Sequence, residues 1–429
     1  MTQQSARIYN LFPRLIGAIP RWVEHFPRVA EMKFNWVFLN PFHYPGFSGS
    51  LYSVKDYYRL NPLFYDDSIG ETELEQLKYM LDEAHSLGIK VMMDLVVNHT
   101  AVDHPFTKEH PEWYQWKDGK VVSPGAWDGE TWVSWGDLAE INNESSSDRE
   151  ALWKYWLELV LHYLELGFDG FRCDAAYQLP AEFWQYVIKT SSERYPETVW
   201  FAESLGCPVE DTVKLGESGF QYTFNSSKWW DFESDWCLDQ YEKARLSSRS
   251  VSFPESHDSE RLFDELDGHV KGVEQRYLFS SLFSSGVMIP TGFEYGFRKR
   301  INVVESMPSD YESVNHDFSD FITRVNELKS RYLIFNEECR IDQLSVRENE
   351  QIAMLLKTSV SLKERCLIVI NKSLSESQSV MMKDYLFMLS WDGHVEDISP
   401  RQVDGDIRER DSLSLEPGEI RVLYSKAQG

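Results

Sequence analysis

The sequence predicts an α/β protein whose parallel strands, roughly eight in number, close into a (β/α)8 barrel. Two observations predict this fold class. Short apolar runs of strand length alternate with amphipathic segments of helix length as far as about residue 340. Several of these runs are apolar at nearly every position, which is typical of strands covered on both faces. An open, doubly wound parallel sheet is the alternative fold.

The clearest repeating unit begins at Thr72, which with Glu75 forms the pattern of a helix capping box. Leucines at helical spacing follow, and Gly88 ends the predicted helix. The run Val91–Val97 comes next and predicts a buried strand. A helix and then a buried strand, in this order, form the unit from which such a barrel is built.

A second unit repeats this pattern. Ser147 and Glu150 predict another capping box, a long amphipathic helix follows, and residues 169–174 predict the next strand. A further predicted helix starts at Pro180. The other strand candidates lie at Arg7–Leu11, Trp36–Leu39, Val199–Ala202, Phe220–Thr223, a run that ends near Pro254, and Val287–Pro290.

Two regions interrupt the alternation and predict the domain boundaries. Residues 100–146 are rich in Trp, Pro, Gly and Asp without periodicity, which predicts a domain inserted after the third strand. Residues 340–429 consist of short alternating runs, which predict a C-terminal β-sandwich domain. The barrel is then formed by residues 1–99 and 147–339.

Composition restricts the partners. The chain has 69 Asp and Glu against 43 Lys and Arg, a net charge of −26 and an isoelectric point near 4.8. Such a charge repels phosphate backbones and anionic lipids, so nucleic-acid and membrane binding are disfavoured and a neutral substrate is favoured. Five cysteines without CxxC spacing, no signal-peptide pattern and no long apolar stretch predict a cytoplasmic protein. The sequence leaves the oligomeric state open.

Polar residues end several of the predicted strands. In a parallel barrel the active site lies at the carboxyl ends of the strands, so these residues are the candidates for chemistry. Any one of them alone is better explained as a helix cap or a surface charge, but a set of this kind at successive strand ends is an improbable accident. The set comprises Asp94, Asn98, His99, Arg172, Asp174, Glu203, His257 and Asp258.

Cleavage of a glycosidic bond requires this combination of groups. One carboxylate attacks the anomeric carbon and a second carboxyl group protonates the departing oxygen. Arg172 shares a strand face with Asp174 and would keep that carboxylate ionised, as a nucleophile must be. Glu203, desolvated and close to other acids, would hold its proton.

At these residues the sequence resembles glycoside hydrolase family 13, the α-amylase superfamily. Four segments resemble the family's motifs in the family's order: 94–99 (DLVVNH), 170–174 (GFRCD), 201–203 (FAE) and 253–258 (FPESHD). A further segment, 136–142, is similar to the motif near the end of the family's inserted domain. The resemblance spans essentially the whole chain and implies a TIM barrel, an inserted B-domain and a C-terminal β-sandwich.

The resemblance also implies roles for individual residues. The nucleophile would be Asp174, the general acid/base Glu203, and the carboxylate that stabilises the transition state Asp258. The substrate-binding residues that it implies are Tyr52, Asp94, His99, Arg172 and His257. Five tryptophans of the inserted segment, most of which we expect to pack a small core of their own, are Trp113, Trp116, Trp127, Trp132 and Trp135.

Two adjacent residues depart from the family's pattern. Tyr177 and Gln178 stand where many starch-cleaving members have Lys and His, the His contributing to a calcium site. Asn98 is therefore a candidate calcium ligand without the usual partner, and we expect no required cofactor. The segment Gly292–Glu294 resembles the maltose-1-phosphate maltosyltransferase branch.

The substrate implied is an α-linked glucose oligosaccharide or glucan, and the sequence leaves hydrolysis and transfer open because both share the first half-reaction. A maltosyl- or glucosyltransferase that uses a sugar phosphate or disaccharide donor is one alternative. A barrel that binds carbohydrate without catalysis is another. A metal-dependent hydrolase would use Asp94, His99, Glu203 and His257 as ligands, although Arg172 beside Asp174 would repel a cation.

Overall fold

The computed structural model describes residues 4–128, 131–389, 395–400 and 412–427. Eight parallel strands close into a barrel in which each strand neighbours the one before it along the chain. This confirms the predicted (β/α)8 fold, and the open-sheet alternative is wrong. The barrel strands, first to eighth, are Arg7–Leu11, Trp36–Leu39, Lys90–Leu95, Gly170–Cys173, Val199–Ala202, Tyr222–Phe224, Arg249–Ser252 and Gly286–Pro290.

Two of the strands that differ from their predicted bounds do so for identifiable reasons. The third strand ends at Leu95 instead of Val97, because the carbonyls of Val96 and Val97 accept hydrogen bonds from side chains, Tyr57 Oη at 2.9 Å and Asn143 Nδ2 at 2.9 Å. The sixth strand starts two residues later than predicted. The N–H of Phe220 bonds back to the preceding helix at Leu215, so this residue still belongs to the helix end.

Helices separate the barrel strands, as the alternation predicts. The capping box of Thr72 and Glu75 is confirmed, with Thr72 N–H donating to Glu75 Oε2 at 2.8 Å. The predicted box at Ser147 and Glu150 is wrong. That helix has Asp148 as its N-cap, and Asp148 Oδ2 accepts from Trp113 Nε1 at 3.1 Å instead of capping the helix. The α-helices are Pro13–Ile16, Ile19–Glu31, Glu73–Ser86, Phe106–Glu109, Arg149–Leu166, Ala181–Ser192, Val209–Glu217, Trp236–Ala244, Leu262–Glu265, Val270–Phe283, Ser319–Arg331 and Lys383–Leu389.

The segment after the third barrel strand contains short antiparallel pairs. His99–Ala101 pairs with Leu138–Glu140, Trp116–Lys117 with Lys120–Val121, and Gly125–Asp128 with Thr131–Ser134. Ahead of them, His43–Pro45 pairs with Val54–Leu60.

The tryptophans of this segment only partly follow the expected packing. Trp113 is buried and stacks on His110 with 4.0 Å between ring centroids. Trp116 and Trp135 are exposed and do not belong to such a core. The side chains of Trp127 and Trp132 lie outside the described residues.

The described residues of the C-terminal part form two antiparallel sheets, which confirms a C-terminal sheet domain. Five strands pair in the spatial order Arg340–Leu344, Ile352–Thr358, Glu364–Asn371, Ile420–Lys426, Glu396–Asp397. The second sheet pairs Gln378–Met381 with Ser412–Leu415. One apolar core takes Met354, Leu367 and Leu423 from the first sheet and Val380 and Leu413 from the second.

By its internal contacts the chain divides into two compact units. One unit contains Ile8–Phe224 and Ile301–Glu312; the other contains Met1–Arg7, Asn225–Arg300 and Ser313–Gly429. The domain boundaries drawn from the sequence at residues 99, 146 and 339 remain predictions. No helix among the described residues combines the length and the apolar composition that a bilayer crossing requires.

Candidate active site

Arg172 lies between two carboxylates at the carboxyl end of the fourth barrel strand. Its Nη1 lies 2.8 and 3.0 Å from the two oxygens of Asp94 and 2.7 Å from Oδ1 of Asp174. Arg172 and Asp94 are paired across the third and fourth strands, and Asp174 is two residues further on the same face. The strand alternation therefore brings these three charges together.

The burial of this cluster makes its charges strongly coupled. The side chain of Arg172 is 5% exposed, that of Asp94 is fully buried, and that of Asp174 is 15% exposed. Burial disfavours the charged guanidinium, but the neighbouring carboxylates, Asp94 above all, hold the pKa of Arg172 well above its ordinary value. Arg172 thus supplies a permanent positive charge beside Asp174, and Asp174 keeps enough exposure to meet a substrate.

A chain of hydrogen bonds fixes Asp94 from its other side. Tyr52 Oη donates to Asp94 Oδ2 at 2.8 Å, Asn40 Nδ2 donates to Tyr52 Oη at 3.0 Å, and Asn10 Nδ2 donates to Asn40 Oδ1 at 2.7 Å. Asn10 and Asn40 are buried polar residues that the sequence analysis missed. The pattern that singled out the other site residues, a polar residue near the end of a barrel strand, also applies to these two. Asn10 lies in the first strand and Asn40 directly follows the second.

His99 is buried, and its imidazole ring contacts the backbone of Tyr52. Its Nε2 lies 3.1 Å from the carbonyl oxygen of Tyr52. Because a carbonyl oxygen only accepts, Nε2 carries the proton and Nδ1 remains an acceptor. Burial lowers the pKa of His99 despite the opposing charge of Asp174. The neutral ring therefore offers one acceptor nitrogen, which has no partner among the described residues.

Glu203 follows the fifth strand, and both of its oxygens accept backbone hydrogen bonds. Oε2 accepts from Ala175 N–H at 2.8 Å and Oε1 from Leu205 N–H at 2.9 Å. Burial, reinforced by the charge of Asp174, raises the pKa of Glu203 to about 7, against the lowering effect of Arg172 and of the two N–H donors. This carboxyl group can hold or release a proton near neutral pH, as a general acid/base must.

The remaining predicted site residues, His257 and Asp258, belong to the other compact unit and follow the seventh strand. His257 is buried, and its Nε2 lies 3.0 Å from Oδ2 of Asp258, whose side chain is 63% exposed. Three residues earlier, Glu255 forms a buried ion pair with Arg261 at 2.8 Å and accepts the N–H of Leu262 at 2.6 Å. Glu255, which precedes Asp258, is therefore bonded to Arg261 and Leu262, which follow it.

Asn98 offers only part of a calcium site. Its Oδ1 is buried without a partner among the described residues, but its Nδ2 donates to Gln178 Oε1 at 3.1 Å. Calcium takes six to eight oxygen ligands. Among the described residues, one group of three His, Asp or Glu side chains lies close enough to hold a metal ion. It consists of His110, Glu112 and Asp148, and it does not include Asn98. Asn98 Oδ1 is thus one candidate oxygen ligand, and calcium binding at this position stays a prediction.

The metal-hydrolase alternative is not supported by the geometry either. Asp94 is within 2.8 Å of the guanidinium of Arg172, and both oxygens of Glu203 are occupied by backbone donors. A cation at these residues would lie against a buried positive charge.

Known proteins share both the sequence pattern and the fold. Residues 1–118 match the family model described as glycogen debranching enzyme, glucanotransferase domain. An alpha-1,4-glucan:maltose-1-phosphate maltosyltransferase of Burkholderia pseudomallei is 23% identical over 387 residues, which are 87% of this chain and 33% of that protein. The enzyme of the same name from Salinibacter ruber is 24% identical over 395 residues, 80% of this chain and 57% of that protein.

The chain thus spans from one third to somewhat more than half of the length of these two relatives. Among solved structures, an alpha-amylase from Lactobacillus plantarum superposes with a TM-score of 0.77 at 20% identity, with 98% of each chain covered. The chain is thus similar in sequence to these maltosyltransferases and, over residues 1–118, to a glucanotransferase domain, and it shares the fold of the alpha-amylase.

Proposed function

We propose that this protein is a retaining enzyme that cleaves or transfers α-glucosidic bonds of glucose oligosaccharides or glycogen-type glucans. The observation that carries the proposal is the contrast between two carboxyl groups. Asp174 is paired with a buried arginine at 2.7 Å, whereas burial raises the pKa of Glu203 to about 7. One group is thereby suited to attack and the other to transfer a proton.

The first half-reaction forms a covalent intermediate. An oxygen of Asp174 forms a bond to the anomeric carbon while the bond from that carbon to the glycosidic oxygen breaks. Glu203 gives its proton to the departing oxygen, so the leaving sugar departs as a neutral alcohol. Arg172 stays charged throughout and stabilises Asp174 before the attack.

The second half-reaction releases the sugar from Asp174. Ionised Glu203 takes a proton from water or from a sugar hydroxyl, and that oxygen forms the new bond to the anomeric carbon as the ester bond to Asp174 breaks. The product keeps the configuration of the substrate. We assign to Asp258 the stabilisation of positive charge that develops on the sugar ring in both steps, on the strength of its motif and its exposed carboxylate.

Five further residues are proposed to bind the sugar at the cleavage point: Tyr52, Asp94, His99, Arg172 and His257. Tyr52 and Asp94 are locked to each other at 2.8 Å, which fixes both without help from a ligand. His99 provides an acceptor nitrogen for a sugar hydroxyl. A preorganised arrangement of this kind lowers the cost of positioning the substrate.

The covalent intermediate gives the direct test. With a Glu203→Gln variant and α-glucosyl fluoride, fluoride departs without acid catalysis, but release from Asp174 lacks its base. The intermediate then accumulates, and intact-protein mass spectrometry should show the added mass of one glucosyl unit. Peptide mapping should place it on Asp174. Absence of turnover of any α-glucoside by the wild-type protein would refute the proposal.

A second candidate function is transfer of a maltosyl or glucosyl unit from a sugar phosphate or disaccharide donor. Several relatives are named as maltose-1-phosphate maltosyltransferases, and segment Gly292–Glu294 resembles that branch. Incubation with maltose 1-phosphate and a maltooligosaccharide acceptor tests it. Release of phosphate together with acceptor elongation supports transfer, whereas release of free maltose indicates hydrolysis.

The proposal also covers cofactors, localisation and the alternative of a barrel without catalysis. The proposed reaction moves protons and one covalent bond, so we propose that no cofactor is needed. All five cysteines are free thiols, which supports cytoplasmic residence. The pairing of Asp174 with the buried Arg172 at 2.7 Å argues against a carbohydrate-binding barrel without catalysis.

A further inference from the structure

Three side chains that have no part in the proposed reaction lie together in one compact unit and offer ligands for a metal ion. His110, Glu112 and Asp148 each place one ligand atom within 4.8 Å of the others. His110 and Glu112 belong to the short helical turn Pro111–Trp113 and its N-cap, whereas Asp148 directly precedes helix Arg149–Leu166. All three side chains are partly exposed, so an ion can reach them from solvent.

Two of the ligand atoms have the spacing that one shared ion requires. His110 Nδ1 lies 3.4 Å from Glu112 Oε1, which is longer than the ~2.8 Å of a charge-assisted hydrogen bond. Zinc binds imidazole nitrogen and carboxylate oxygen at about 2.0–2.2 Å in a tetrahedral arrangement, which places two of its ligands about 3.3–3.6 Å apart. The two atoms are therefore separated like two ligands of one zinc ion.

Trp113 holds the other two side chains of the pair-forming residues in place, that of His110 and that of Asp148. Its ring stacks on the imidazole of His110, with 4.0 Å between the ring centroids and 11° between the planes. Its Nε1 donates to Asp148 Oδ2 at 3.1 Å and orients that carboxylate. Supporting partners of this kind fix the orientation of metal ligands and contribute to metal affinity.

Ser146 joins the backbones of Glu112 and Asp148. Its Oγ donates to the carbonyl of Glu112 at 2.7 Å and accepts from the N–H of Asp148 at 3.2 Å. Asp148 is the N-cap of its helix, but its side chain makes no capping bond there. The carboxylate of Asp148 is thus turned to Trp113 and the other two ligands instead of to the helix N-terminus.

The chemistry of the ligands selects the ion. One neutral imidazole and two carboxylates compensate the charge of a divalent cation. Calcium and magnesium prefer oxygen ligands alone, whereas zinc takes nitrogen and oxygen together and completes its four ligands with water. Among the divalent ions, zinc therefore fits this set.

We propose that His110, Glu112 and Asp148 form a zinc site that fastens the turn Pro111–Trp113 to the start of helix Arg149–Leu166. The ion stabilises the fold and takes no part in the chemistry at the active site. Unfolding separates residues 110 and 148, so zinc binds the folded chain in preference and shifts the equilibrium towards it.

Titration of the wild-type protein with zinc tests the site directly. The partial exposure of the ligands predicts reversible binding, so zinc chloride is added to protein that has been dialysed against EGTA. Isothermal titration calorimetry should show one bound ion per chain, and zinc should raise the melting temperature. Calcium chloride at the same concentration should do neither.

Variants of similar size identify the ligands. Glu112→Gln and Asp148→Asn keep the size of the side chain and remove its charge, and each should weaken zinc affinity by about tenfold or more. Glu109→Gln changes an exposed acid next to His110 and is the matched control, with wild-type affinity expected. His85→Gln removes a partly exposed histidine that pairs with a single acid, and it should also keep wild-type affinity.

The outcomes separate this site from adventitious binding and from the proposed function. Loss of affinity in Glu112→Gln and Asp148→Asn, with both controls unchanged, supports the site. Zinc binding that is equally strong in these two variants overturns it, because the ion then binds elsewhere. Absence of zinc binding by the folded wild-type protein also overturns it and leaves the proposed function standing.

Discussion

The backbone N–H of Ala175, the residue after the proposed nucleophile, donates a 2.8 Å hydrogen bond to Oε2 of the proposed acid/base Glu203. Ala175 has a left-handed backbone with φ 39° and ψ 47°. An alanine in this conformation costs roughly 1 kcal/mol or more. The strained turn therefore aims an N–H group at Glu203 and couples the ends of the fourth and fifth strands.

This conformation predicts an asymmetry between two substitutions at Ala175. Ala175→Gly relieves the strain but gives the unfolded chain more freedom, so its free energy of unfolding should stay within about 1 kcal/mol of the wild type. Ala175→Val adds a β-branched side chain to a left-handed backbone and should cost roughly 2 kcal/mol or more. Urea unfolding measures both. Equal stability of the valine and glycine variants would contradict the strained turn.

Removal of the proposed nucleophile, the carboxylate of Asp174, should abolish activity without loss of the fold. Asp174→Asn keeps the size of the side chain and should lower kcat on maltooligosaccharides by about a thousandfold or more. Glu182→Gln, an exposed acid in the first turn of helix Ala181–Ser192, is the matched control and should retain wild-type kcat. Wild-type activity in Asp174→Asn would rule out the assigned nucleophile.

The pKa of Glu203 predicts the alkaline limit of activity. Burial raises it to about 7, and only the protonated form can donate to the leaving oxygen. For a natural glycoside, kcat/KM should therefore fall as pH rises through about 7 and lose a factor of ten per unit above it. With α-glucosyl fluoride the first step needs no acid, so its bond cleavage, followed as fluoride release in single turnover, should lack this limb. The same limb for both substrates would exclude Glu203 as the acid.

Periodicity predicted the barrel well because buried parallel strands are apolar along their whole length. Val199–Ala202 and Trp36–Leu39 have the bounds that the sequence predicts. The carbonyl of Val97, just past the end of a strand, accepts a hydrogen bond from a side chain. Nothing in the neighbouring sequence indicates this bond.

The same limit applies to the site. Strand alternation predicts that Arg172 and Asp174 lie side by side, but the bond from Tyr52 to Asp94 joins residues 42 positions apart. The failed capping box at Ser147 has the same origin, because Asp148 bonds Trp113, 35 residues earlier. Local patterns predict which residues are near each other along one strand. Hydrogen-bond partners that are distant in the sequence can be identified only from the three-dimensional structure.

Activity should be independent of calcium. The side chain of Asn98 offers one buried oxygen, Oδ1, and its amide nitrogen Nδ2 donates a hydrogen bond to Gln178. Dialysis against EGTA should therefore leave kcat and the melting temperature of this protein unchanged, and added calcium should raise neither. A calcium-dependent α-amylase treated in parallel shows that chelation is effective. A fall in melting temperature that calcium alone reverses would show that a site exists here.

The buried pair of Glu255 and Arg261 predicts a strong and specific coupling beside Asp258. Both side chains are 1% exposed and lie 2.8 Å apart. Glu255→Ala leaves Arg261 charged and buried, and should lower the free energy of unfolding by about 3–5 kcal/mol, whereas Glu255→Met with Arg261→Met should recover much of that loss. The exposed pair of Arg194 and Glu165, 60% and 68% exposed, is the control, and breaking it should cost less than about 1 kcal/mol. Urea unfolding of the single and double variants gives the coupling energy, and additive effects of Glu255 and Arg261 would show that the pair does not hold the segment around Asp258.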